Sequence, residues 1–75
     1  MQKVYVVTDT LDGKVVGVAS SERSARRLMI KYITEYYEDC DILGGDNEQS
    51  NYDPRITYYE FDYVTFEITE TNLVE

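Results

Sequence analysis

Seventy-five residues make one small domain, able to bury only about 60% of the surface that its unfolded chain exposes, so its core is thin. With 43% apolar residues and ten aromatics the chain is too hydrophobic for intrinsic disorder, even at a net charge of -8. A single cysteine, Cys40, excludes an internal disulfide framework and points to the cytoplasm; no apolar run nears the ~20 residues of a membrane span, and MQKVYVVTDT lacks a signal-peptide core.

Lys3 to Thr8, KVYVVT, is rich in β-branched and aromatic residues and runs into DTLDG, whose Asp12-Gly13 pair is a turn signal. Lys14 to Ala19, KVVGVA, resumes the same chemistry, so the two runs predict an antiparallel hairpin joined by roughly four or five residues. Gly17 marks either a bulge or a close approach of another element. Ser20 to Tyr37 is the one segment with sustained helical periodicity. Ala25, Leu28, Met29, Tyr32, Ile33 and Tyr36 fall on one apolar face, the spacing a helix needs to cover a sheet. Ser20 and Ser21 are both N-cap candidates, and Glu22 adds a carboxylate where the helix dipole favours one. Tyr37 and Ile30 lie off the stripe and are expected to be partly exposed.

From Glu38 to Asp53 the pattern gives way to EDCDILGGDNEQSNYD, which reads as an acidic loop over about 38–54 that Pro54 closes. Arg55 to Glu70 is dense in strand formers, but its alternation changes phase near Tyr63. A β-bulge in one long strand and a tight reversal both explain this, and the lack of Gly, Pro or Asn at the change favours the bulge. The tail TNLVE is expected to fray. The expected fold is therefore α+β over residues 1–75, a ββαβ chain with a three-stranded antiparallel sheet in the order 2-1-3 and one helix packed on one face.

KVYVVT, DG, VVGVASSE and Ala25 together resemble a pattern found in small, mostly uncharacterised proteins of bacteriophages and mobile elements. That pattern is a strand, an acidic turn, a strand ending in a small-Ser-Ser-Glu segment, and a helix. The resemblance covers residues 3 to 30, with a weaker echo in YYEFDY. It implies a ββαβ fold and a phage-like origin, and it carries no catalytic residue, because the matching positions are turn, cap and core positions.

Enzymatic chemistry has little raw material. Without histidine, neither a Ser-His-Asp nor a Cys-His arrangement can form, and Asp39 and Asp41 beside Cys40 discourage a thiolate. A calcium-loop frame started at Asp39 places Gly44 sixth but Leu43 fifth and Ser50 twelfth, so it fails. No catalytic residue, metal or cofactor is expected. Arg23, Arg26, Arg27 and Lys31 form a small basic patch, read as a solvated helix face or as a surface that meets acids on a copy or partner. The eight tyrosines are read mainly as core and strand content.

Charge is the most informative feature. Residues 1 to 34 hold six basic and three acidic residues, or +3, whereas residues 35 to 75 hold one basic and twelve acidic, or -11. Within the helix this arrangement opposes the macrodipole, so stability does not explain it. Glu35, Glu38, Asp39, Asp41, Asp46, Glu48 and Asp53 occur with no basic residue between them and are the expected partner-binding residues. The leading expectation is a non-enzymatic inhibitor of phage counter-defence type, anti-CRISPR or anti-restriction. It would block a basic nucleic-acid-binding groove of a host nuclease or defence effector by imitating phosphates, without binding nucleic acid or membrane itself. The alternative is a small structural or interaction module, homodimeric through the sheet face that one helix leaves uncovered, with acidity serving solubility.

Overall fold

The two valine-rich runs form β1 (Gln2–Asp9) and β2 (Lys14–Ala19), the expected hairpin. The computed structural model describes residues 2–73. Helix α1 (Glu22–Tyr36) follows, then β3 (Asp46–Gln49), β4 (Ile56–Phe61) and β5 (Val64–Leu73). Five antiparallel strands, not three, make one sheet in the order β2-β1-β5-β4-β3, and α1 packs on one face. The α+β class and the pairing of the first strand with the last are as the sequence implies.

Two corrections account for the extra strands. The phase change near Tyr63 is a reversal, not a bulge: Phe61 pairs with Val64 across a two-residue turn, Asp62-Tyr63. Asp62 adopts φ 52°, the left-handed conformation that Asp tolerates, so the turn forms without Gly or Asn. Each strand then keeps a simple alternation, with Tyr59 and Phe61 of β4 and Val64, Phe66 and Ile68 of β5 all turned toward α1 and buried. The second correction is β3. Part of the expected loop, DNEQ, pairs along Thr57–Glu60 although all four residues are exposed and none favours strand. Its pairing comes from the edge that β4 offers rather than from its own propensity. The tail also differs: Thr71, Asn72 and Leu73 pair with Val4, Lys3 and Gln2, while Val74 and Glu75 lie outside the described residues.

Ser21 caps α1 by accepting the Ser24 amide at 3.1 Å. Ala25, Met29 and Ile33 are buried against Val7, Phe66 and Ile68, and Leu28 and Tyr32 pack on the margin of that core. Tyr36, expected on the buried stripe, is 67% exposed: as the last residue of the helix it leans on the Tyr32 ring, centroids 4.8 Å apart, at the rim of the groove beside Lys14 and Val16. Its neighbour Tyr37, off the stripe, is half-buried as expected, and its hydroxyl reaches Asp9. Both readings of Gly17 hold: the β1–β2 register shifts next to it, and a Cβ there would come within 2.6 Å of Leu28 Cδ2.

Candidate partner-binding surface

Strand alternation puts every second residue on the face that α1 does not cover, and the register fixes which residues stand together there. Val6 faces Val18 and Thr69, and Thr8 faces Val15 and Glu67. Tyr58 stands between Glu67 and Glu48, and Glu60 between Thr65 and Asp46. The open face therefore divides diagonally. Val4, Val6, Val15 and Val18 occupy the β1–β2 corner, while Asp46, Glu48, Glu60 and Glu67 occupy the β3–β5 corner, with the threonines of β5 between them. No lysine or arginine projects from this face among the described residues. Asp46, Glu48, Tyr58, Glu60, Thr10 and Thr65 border a shallow concavity of about 490 Å³.

The seven expected carboxylates fall into separate groups. Asp46 and Glu48 belong to the open face, joined by Glu60 and Glu67, which the sequence reading passed over. Glu38, Asp39 and Asp41 lie on the connector that leaves α1 and crosses the β4–β5 turn. There the Tyr63 hydroxyl donates to the Glu38 carbonyl at 2.8 Å and the Cys40 thiol to the Phe61 carbonyl at 3.4 Å. Asp62 joins this group: partial burial, and then Cys40, Asp62, Asp39 and Glu38, hold the Tyr63 hydroxyl above its ordinary pKa. Burial, then Asp62 and Asp41, push the Cys40 thiol up, away from the thiolate a nucleophile needs. Glu35 stands apart on the flank of α1, beside Lys31 and Lys14.

Asp53 is committed elsewhere. It accepts from the backbone amide, Nε and Nη2 of Arg55 at 3.0, 3.0 and 2.9 Å, and this pairing holds its carboxyl below the usual range. Ser50 Oγ accepts the Tyr52 and Asp53 amides in the same turn, so Asp53 closes the β3–β4 connection rather than offering a free charge.

Among the described residues the one buried charged residue is Asp9, with 0% exposure, at the end of β1. Its Oδ1 accepts the amides of Leu11 and Asp12 at 3.0 and 3.4 Å, and its Oδ2 accepts the Tyr37 hydroxyl. That arrangement joins the β1–β2 turn to the end of α1. The hydrogen bond that Tyr37 donates to Asp9, then burial, then the Asp9 and Asp12 charges, raise the Tyr37 pKa well above its usual value. Both carboxylate oxygens have partners within the fold, which gives Asp9 a structural role.

Strand directions carry the charge asymmetry of the sequence into space. The ends of β1 and β4, the starts of β3 and β5, and the end of α1 share one pole, which bears Asp12, Asp46, Glu60, Asp62 and the acidic connector. Lys3, Arg23 and Arg55 mark the opposite pole, where Lys3 pairs with Glu70 at 3.1 Å. Among the described residues no cluster of three or more acidic or thiol side chains converges as a metal site, and no helix is long and apolar enough to cross a membrane. The chain matches no protein-family model, and no curated protein or solved structure is detectably similar to it. What the molecule defines by itself is an α+β sheet with one uncovered face, half aliphatic and half anionic.

Proposed function

We propose that this protein is a non-enzymatic inhibitor of phage counter-defence type, which uses its carboxylate surface to occupy a basic nucleic-acid-binding groove on a host nuclease or defence effector. The observation that carries the reading is the open-face corner formed by Asp46, Glu48, Glu60 and Glu67, four carboxylates without a counter-charge on their face. Asp46 and Glu60 form one row, and Glu48 and Glu67 the next, two residues or about 6.8 Å further along the strands. Two charges per row amount to one per ~3.4 Å, the linear density of one strand of duplex. A groove already lined with Arg and Lys would accept this array in place of phosphates, and the adjoining valines would add apolar contact that nucleic acid lacks. The same negative field repels nucleic acid itself.

The test is affinity capture from a bacterial lysate, with wild type beside the variant Asp46→Asn/Glu48→Gln/Glu60→Gln/Glu67→Gln. The amides keep side-chain size and remove four charges. The proposal expects nucleic-acid-binding proteins to be retained by wild type and lost with the variant; equal retention by both would remove this corner as the working surface.

A further inference from the structure

Strand alternation leaves one aromatic ring among the carboxylates of the open face, that of Tyr58, and the imitation of phosphates gives it no role. We infer that Tyr58 is the seat for an arginine side chain of the partner protein, so that this corner selects guanidinium over ammonium. The inference rests on the proposed use of the carboxylate corner and adds the chemistry of what it binds.

The register fixes the surroundings of the ring. Tyr58 pairs with Glu48 on β3 and with Glu67 on β5, so a carboxylate flanks it on each side at one strand spacing, about 4.8 Å. Glu60 follows two residues along the same strand and on the same face. Tyr58 is 43% exposed, which leaves it accessible to a partner. With Asp46, Glu48 and Glu60 it borders the concavity, and Thr10 and Thr65, whose hydroxyls bond to each other at 2.6 Å, form another side of it.

Stability does not account for a ring at this position. Aromatic side chains strengthen a sheet when they face other aromatics or β-branched residues, as Tyr59 does opposite Phe66 on the covered face. Tyr58 has carboxylates on both sides instead, and the face of an aromatic ring is itself negative. A cation held against the ring reverses both effects, because the ring attracts it and it offsets the flanking charges. Arginine fits this place better than lysine. Its planar guanidinium stacks on the ring while its edge bonds a carboxylate, and it is more weakly hydrated than an ammonium, so it loses less on leaving water. Among the described residues no arginine or lysine of this chain projects from the open face, so the cation comes from the partner.

The experiment titrates isotope-labelled protein at low salt with a short peptide that alternates arginine with glycine, and with its lysine counterpart. Amide shifts are followed by NMR in wild type, Tyr58→Leu, Tyr58→Phe and the four-amide variant, and circular dichroism melts confirm that each is folded. The inference expects the arginine peptide to move the amides around Tyr58, Glu48 and Glu67. It should bind about two- to fivefold more tightly than the lysine peptide, the scale of one exposed cation–π contact. Tyr58→Leu should remove that preference and Tyr58→Phe, which keeps the ring, should retain it. Equal binding of both peptides at this corner, lost in the four-amide variant, overturns the arginine seat and leaves the carboxylate corner standing. Shifts that gather on the connector at Glu38, Asp39 and Asp41 overturn the seat too, as do a preference that survives in Tyr58→Leu and the failure of either peptide to bind.

Discussion

Glu60 stands directly opposite Asp46 in the β3–β4 pair, with Glu48 and Glu67 on the diagonals. Like charges in facing cross-strand positions destabilise a sheet, so Glu60→Gln is expected to stabilise this protein while weakening its proposed use. Two carboxylates roughly 6 Å apart in water repel by about 0.7 kcal/mol, and the diagonal neighbours at about 7–8 Å add smaller amounts before screening. A net gain of about 0.5–1 kcal/mol follows, within the range of cross-strand pair energies. For a domain of this size that is a rise in Tm of roughly 2–8 °C. Thermal melts followed by circular dichroism at about 10 mM salt would show the rise. At about 1 M salt, where the Debye length is ~3 Å, wild type and variant should converge. An unchanged or lowered Tm at low salt would refute the reasoning, since the carboxylates would then not be close enough to repel.

Met29 is enclosed between α1 and the sheet, so Met29→Ala should cost about 2–5 kcal/mol in denaturant titrations, whereas Thr34→Ala on the exposed side should stay within about 0.5 kcal/mol. A Cβ at Gly45 would collide with the Phe61 ring, so Gly45→Ala should destabilise by about 1–3 kcal/mol, measured in the same titration. Tyr37→Phe leaves buried Asp9 Oδ2 without its donor and should cost about 1–3 kcal/mol at pH 7. An unfolded tyrosine titrates near pH 10 and folded Tyr37 above it, so its contribution is complete below about pH 10 and fades as pH rises through the raised folded value. Melts from about pH 8 to 11 should therefore show wild type approaching Tyr37→Phe at the alkaline end.

The hairpin and the helix were legible because their signals are local: two β-branched runs around Asp12-Gly13, and an apolar stripe of period 3.6 behind a serine cap. β3 was not, because Asp46–Gln49 has no preference for strand and takes its conformation from the edge of β4. The β4–β5 reversal hinged on a single aspartate in the left-handed region, which a search for Gly or Asn overlooks. Glu60 and Glu67 were missed for a related reason. Each lies between two core residues, Tyr59 and Phe61 or Phe66 and Ile68, and once the reversal is placed, alternation alone assigns both to the open face. The tie between Asp9 and Tyr37 spans 28 residues and has no signature in either segment.

The central claim is that the carboxylate corner competes with nucleic acid for one groove. The most direct measurement takes the protein retained in the lysate capture, purifies it, and titrates its complex with a labelled duplex or RNA against wild type and the four-amide variant at two salt concentrations. The account predicts full displacement of the nucleic acid by wild type, weaker displacement at higher salt, and at least a tenfold loss with the variant. A ternary complex, or displacement that the variant reproduces at both salt concentrations, would contradict it.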